Sequence, residues 1–383
     1  MGIDLSALAA ARLPRPVRFL LMAAAMAALL AALWAGLIRL GWSWPALAPR
    51  LPSSHGPLMI CGFMGTLIGL ERAVGLGKRW ALAAPLLSAL GSVLILLPIP
   101  IVYGALTITL GSAVLVVALA QLLRIQWALF IITIVLGGAL WFAGNVVWLI
   151  GHSIPQAVLW WIGFLVVTIA GERLELSRML RLTSTTRALF VAALVIMVLG
   201  MALGLYNYVW GVRVLAVGLL GMALWLLRYD IAGRRIRAGG QARFTALSLM
   251  AGYVWLAFAG LLALARGGVM AGPVYDALLH AIFVGFSFSM IFGHAPIIFP
   301  AVLQIPMAYH PRFYTHLIFL HASLLLRVAG DLIPYWPARL WGGLLSAIAI
   351  LLFLFNTVTA VKRQQRAGRA EPQPDATRPL RAR

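Results

Sequence analysis

The feature that most constrains this chain is a succession of about a dozen apolar runs, each long enough to cross a lipid bilayer, separated by short basic connections. Inside hydrocarbon no water is present to satisfy a backbone N–H or C=O, so a spanning segment must form its hydrogen bonds internally or in a closed barrel. The runs lack the polar/apolar alternation of barrel strands, which leaves helices. With 63% of the 383 residues hydrophobic and 10% charged, the expected fold class is an all-α membrane protein of about 12 transmembrane helices in one polytopic bundle. Spans are expected near 17–40, 55–72, 81–97, 99–122, 127–150, 156–172, 188–206, 209–228, 243–265, 275–299, 314–333 and 338–361. This divides the chain into a cytoplasmic N-terminal segment (1–16), a transmembrane domain (17–361) and a basic, disordered cytoplasmic tail (362–383).

A net charge of +21 would ordinarily suggest nucleic acid, but its placement argues for topology. With the N-terminus inside, 24 of the 30 Lys and Arg fall in the two tails and the even-numbered connections. Arg39, Arg50, Arg213, Arg266 and Arg339 fall outside, and Arg327 lies within a span. Such a bias sets both termini in the cytoplasm, with the excess facing anionic lipid and no nucleic-acid partner expected. Arg12, Arg15 and Arg18 before a long apolar run imitate a signal peptide, but the run is long enough to be a retained first span. The one cysteine, Cys61, rules out an internal disulfide and a Cys-x-x-Cys-His haem attachment.

Histidines inside spans need a reason, because ionisable groups at that depth are expensive. The stretch 275–300 carries two, His280 and His294. Fourteen helical residues separate them, roughly 21 Å, so one metal atom cannot hold both. His55 opens the second span, which runs in the same direction as the tenth, and His280 lies in the second turn of that tenth span. The two therefore sit at similar depth near the outer face, where facing imidazoles can supply both axial positions of a haem iron. Arg39, Arg50, Arg266 and Arg327 are available for haem propionates. Each histidine alone would ordinarily just bond a nearby carbonyl; the matched pair is what favours haem.

A second group, His294, His316 and His321, lies toward the inner face and is the candidate for a second metal site, against hydrogen bonding or a proton path as the plain alternative. His316 and His321 are about 140° apart around a helix and do not form a chelating i, i+4 pair. His152 and His310 read as loop residues. The sixth span ends Gly-Glu172-Arg173 much as the second ends Leu-Glu71-Arg72; interfacial ion pairs are the plain reading and a proton entry the functional one. Counting from His55 by threes and fours gives Met59, Gly62, Thr66 and Gly69, a slender face open to a neighbouring helix or a flat macrocycle. Gly65 and Gly69 form a Gly-x-x-x-Gly packing step.

At these residues the chain resembles the NnrS proteins, bacterial inner-membrane proteins containing haem and copper and linked to nitric oxide metabolism and nitrosative stress. His55-Gly-Pro-Leu-Met59-Ile-Cys-Gly62-Phe63 is similar to the family's His-x-His-Glu-Met-x-x-Gly-Phe. Leu279-His280-Ala281-Ile-Phe-Val284-Gly285, followed by Met290, resembles its Leu-His-Ala-x-x-Val-Gly segment, and Leu324-Leu325-Leu326-Arg327-Val328 its Ala-Leu-Leu-Arg-Val. The same histidines resemble the low-spin haem ligands on the second and tenth helices of the haem-copper oxidase catalytic subunit. Pro57 and Leu58 stand where the NnrS family has a second His and a Glu, and spans six and seven hold no histidine for an oxidase copper site.

The resemblance implies haem b held by His55 and His280, with Arg327 beside it, and a place in nitric oxide or nitrosative-stress chemistry. It also implies an electron donor, or denitrification or nitrosative-stress proteins, as partners. Copper, at a site such as His294, His316 and His321, is implied less directly. The rival expectation is a proton-coupled secondary transporter of a small solute, for which twelve spans and the inner Glu71, Glu172 and histidines speak.

Overall fold

The computed structural model describes residues 14–370, and among these every regular element is helical. Residues 1–13 and 371–383, which make up most of the expected N-terminal segment and over half of the expected tail, lie outside the described residues. Eleven helices are long and apolar enough to cross a membrane, and a further apolar helix, Arg79–Leu94, is shorter. In chain order the helices are α1 (Arg15–Leu40), α2 (Pro52–Leu76), α3 (Arg79–Leu94), α4 (Ile101–Ile125), α5 (Leu129–Leu149) and α6 (Ile154–Leu180). There follow α7 (Ser184–Tyr206), α8 (Tyr208–Tyr229), α9 (Gly240–Arg266), α10 (Pro273–Leu303), α11 (Phe313–Leu332) and α12 (Trp336–Ala370).

Most boundaries shift by a few residues from expectation, the largest at the C-terminal ends of α6 and α12, and two of the shifts have a clear local cause. The third span stops at Leu94 rather than 97, because Leu97 and Ile99 each precede a proline and such residues avoid helical geometry. The last helix continues past 361 to Ala370, so the first nine residues of the expected tail are helical. Its Lys362, Arg363 and Arg366 are good helix formers and sit well at the negative end of a helix.

Burial identifies the centre of the bundle. The most apolar stretches of α2 and α6 are each 72% buried and that of α10 67%, against 39–61% for α1, α4, α5, α7, α8, α9, α11 and α12.

 The three buried helices form the core, with α1 packed on the first half of α2 and α9 on the middle of α10. Between helices in lipid the attraction is van der Waals contact, so small residues mark the closest approaches. The slender face of α2 serves this purpose: a Cβ at Gly62 would lie 3.1 Å from Ala28 Cβ on α1, and one at Gly69 3.2 Å from the Pro85 nitrogen on α3. That face is therefore taken by helices. Gly65 stands over the Trp141 ring of α5.

Polar residues tie the core together. Asn145 Oδ1 on α5 accepts from Trp161 Nε1 on α6 at 2.9 Å and from Cys61 Sγ on α2 at 3.5 Å. The Glu-Arg pairs that end α2 and α6 do not simply close on themselves. Arg72 bonds Glu172 across the two helices, while Arg173 turns to Asp230, just beyond α8, through Nε at 2.6 Å and Nη2 at 2.9 Å. Asp230 also accepts from Tyr253 Oη at 3.1 Å and from the Ala232 N–H at 2.6 Å. Breaking one side of a buried pair leaves the other charge stranded, at about 3–5 kcal/mol. Asp230→Ala should therefore lower stability by about that amount, read as a loss of thermal stability in detergent, with the double variant Arg173→Met/Asp230→Ala recovering part of it.

Candidate functional site: two facing imidazoles

Both α2 and α10 depart from regular α-helix directly after a histidine. In α2 a π-helical segment, Leu58–Gly65, begins three residues past His55; in α10 the segment Ala281–Phe288 begins immediately after His280. Wide turns of this kind are uncommon and tend to occur where a helix serves a site. The two helices approach each other most closely through their later halves, Thr66–Leu76 against Ser289–Leu303. In their earlier halves side chains bridge the gap: Phe63 faces Phe288 at 5.9 Å between ring centroids, and His55 faces His280 at 6.4 Å.

The imidazole planes are within 11° of parallel. Each ring is anchored through Nδ1. That of His55 is 2.7 Å from the Ala32 carbonyl oxygen on α1, and that of His280 is 2.7 Å from the Asp276 carbonyl oxygen one turn earlier on α10. A carbonyl only accepts, so Nδ1 carries the proton in both rings and the Nε2 lone pair is left over. Neither Nε2 has a hydrogen-bond partner among the described residues. This is the tautomer a metal-binding histidine adopts, with its second nitrogen fixed by a carbonyl. A ring nitrogen lies about 1.15 Å from its ring centroid and about 2 Å from a metal it binds, so two imidazoles on opposite sides of one ion have centroids roughly 6.3 Å apart. The observed 6.4 Å matches that spacing.

Close packing holds His55 in place. A Cβ at Gly36 on α1 would lie 2.8 Å from its Cε1 and 2.9 Å from Nδ1. Arg39, three residues further along the same side of α1, is exposed and has no ion-pair partner among the described residues.

Arg327 is placed beside this pair but is already engaged. Its Nη2 is 3.3 Å from Asp276 Oδ2, and its Nε is 3.9 Å from Asp331 Oδ2. Arg339 completes the cluster, 2.6 Å from Asp276 Oδ2 and 2.8 Å from Asp331 Oδ1. Arg50 is used elsewhere, bonding the Leu97 and Ile99 carbonyls. Sequence reasoning missed Asp276, Asp331, Arg339 and Gly36. Helical spacing carried a signal for two of them, since Asp276 precedes His280 by four and Asp331 follows Arg327 by four.

The other histidines stay apart. His294 repeats the local geometry of His280, with Nδ1 2.8 Å from the Met290 carbonyl oxygen, but its Nε2 accepts from Arg173 Nη1 at 3.2 Å. His316 Nδ1 accepts from Asn356 Nδ2 at 3.1 Å, and Phe244, Phe292, Phe313 and Phe353 enclose its ring. His321 Nδ1 accepts from Trp255 Nε1 at 3.0 Å. Among the described residues no three His, Cys, Asp or Glu form a metal-holding group, so the expected second site at His294, His316 and His321 is not assembled. The three rings bond three different residues, Arg173, Asn356 and Trp255, and Nε2 of His316 and of His321 is buried without a hydrogen-bond partner among the described residues. His152 lies 3.4 Å from Gln156 Oε1, and His310 accepts from the Arg312 N–H at 3.1 Å.

The fold and site together define a class: a many-helix apolar bundle with one inward-facing imidazole pair held between its two central histidine-bearing helices. The chain belongs to a family described as a domain of unknown function (DUF8744), whose model matches residues 18–362. No curated protein and no solved structure matches it.

Gly36→Ala should press on the His55 ring and separate the imidazoles while leaving the bundle folded. The measurement is metalloporphyrin binding by the purified variant beside wild type at equal thermal stability; a lower affinity is expected.

Proposed function

We propose that this protein is an NnrS-like, multi-pass membrane protein of the bacterial inner membrane that holds haem b between His55 and His280. In this reading it acts in the handling of nitric oxide or other nitrogen oxides, or in the response to nitrosative stress. The observation that carries the reading is the pair of near-parallel imidazoles at 6.4 Å, each with Nδ1 bonded to a carbonyl. His55 Nε2 and His280 Nε2 would hold the haem iron, and Arg39, exposed on α1, would be available to the cofactor's carboxylates. Arg327, neutralised by two carboxylates, would stand beside the cofactor rather than grip it.

Bound haem would supply one-electron chemistry at the iron. Held by two histidines, it would be suited to passing electrons and poorly suited to binding a substrate directly. The reading includes all twelve helices crossing the membrane, the shorter α3 among them. It places both termini in the cytoplasm and the histidine pair toward the outer face, as the Lys and Arg distribution indicates. Partners in this reading are an electron donor and proteins of denitrification or nitrosative stress.

Protein purified from haem-sufficient cells should give a Soret band, a low-spin reduced-minus-oxidised spectrum and a haem b pyridine haemochrome at one haem per chain. His55→Ala and His280→Ala should each lose most of the haem, and His294→Ala should retain it. Haem-free wild type, or full loading of both pair variants, would contradict the proposal.

A second reading rests on a different place. A small, largely apolar cleft of about 80 Å³ lies between α2, α6 and α10 at the end away from the imidazoles, with Glu71, Glu172 and His294 in its lining. This suits a proton-coupled secondary transporter, in which those carboxylates exchange protons. Solute uptake by proteoliposomes that survives His55→Ala but fails in Glu71→Gln would favour it.

A further inference from the structure

Asp276 performs two tasks with two different groups. Its backbone carbonyl accepts from His280 Nδ1 at 2.7 Å, while its carboxylate lies 2.6 Å from Arg339 and 3.3 Å from Arg327. We infer that the ion-paired cage of Asp276, Arg327, Arg339 and Asp331 is a positioning device that fixes the orientation of the His280 imidazole. The inference rests on the haem reading above and adds residues to it.

The two histidines differ in how firmly their anchors are built. Ala32, which anchors His55, lies in the interior of the 26-residue helix α1, where the backbone is held on both sides. Asp276 lies in the first turn of α10. That helix starts at Pro273, directly after Gly272 at a φ of 88°, and no side chain caps its N-terminus. First turns have unsatisfied N–H groups and fray readily. A wide π-helical segment begins on the other side of His280. His280 is therefore placed between a helix end and an irregular stretch, and its carbonyl anchor needs support from outside the helix.

The cage gives that support from two other helices. Arg327 comes from α11 and Arg339 from the first turn of α12, so both guanidiniums pin the Asp276 carboxylate to the α11–α12 pair. Asp331, whose side chain is 0% exposed, holds Arg339 from behind. Room for the cluster comes from α12: a Cβ at Gly343 would lie 3.0 Å from Arg327 Nη1. Two Asp and two Arg sum to no net charge, so the cage acts on the geometry of the ligand more than on the field at the iron. Partners in the second layer of a metal site typically change metal affinity by roughly 10–100-fold when removed.

Asp276→Asn keeps the carbonyl that His280 uses and removes the charge that Arg327 and Arg339 hold. In haem-loaded protein the expected results are weaker haem retention, by roughly 10-fold or more, and an altered low-spin electron paramagnetic resonance spectrum, because the ring turns away from its near-parallel setting. Arg339→Gln should act in the same direction, with Arg339→Lys intermediate. Asp230→Asn, which breaks a distant buried pair, is the control: it should reduce yield and leave the spectrum of the bound haem unchanged. If Asp276→Asn does not accumulate, Arg339→Gln carries the same expectation. Wild-type spectra and haem retention in a loaded Asp276→Asn or Arg339→Gln protein would overturn the inference and leave the haem reading standing. A wild-type protein without haem would overturn both.

Discussion

Two hydrogen bonds, from His55 Nδ1 to the Ala32 carbonyl and from His280 Nδ1 to the Asp276 carbonyl, set the character of the whole site. They place the proton of each ring on the side facing protein and leave the other nitrogen with a lone pair and no partner. In an apolar bundle an unsatisfied nitrogen is unfavourable. The two rings stand 6.4 Å apart between centroids with planes 11° from parallel, and the proposed haem reading rests on that pairing. His294 shows the alternative. It is anchored in the same way, one turn back on its own helix, but Arg173 fills its second position and makes it a structural link between α10 and α6.

The remaining architecture supports this arrangement from a distance. α2 and α10 converge in their later halves, where helix packs on helix, and are bridged by side chains in their earlier halves. The helices around them supply the fixed points: α1 gives a carbonyl to one imidazole and a glycine that makes room for it, and α11 and α12 give the arginines that hold the Asp276 carboxylate beside the other. At the opposite end the Arg72–Glu172 and Arg173–Asp230 pairs join α2, α6 and the segment after α8. Charge inside this bundle occurs almost wholly as paired groups, as burial demands.

Much of the helical layout was legible because hydrocarbon leaves the backbone few choices, so the length of an apolar run is close to a structural statement. The matched depth of His55 and His280 could be read from the direction and start of two runs. The π-helical segments could not, since Leu58–Gly65 and Ala281–Phe288 have the same apolar composition as ordinary helix. Nor could the crossing of Arg72 to Glu172 beside its local contact with Glu71, because which neighbour a long side chain reaches depends on helix rotation. The expected grouping of His294, His316 and His321 failed for a related reason: shared depth does not ensure a shared face, and Asn356, Trp255 and Arg173 each claim one ring.

The claim at the centre is that both imidazoles bind one iron. A structure of the protein purified from haem-sufficient cells tests it most directly. The account predicts one porphyrin between α2 and α10, with His55 Nε2 and His280 Nε2 each about 2 Å from its iron. A porphyrin held by only one of them or by other residues, or two rings facing each other with nothing between them, would contradict it.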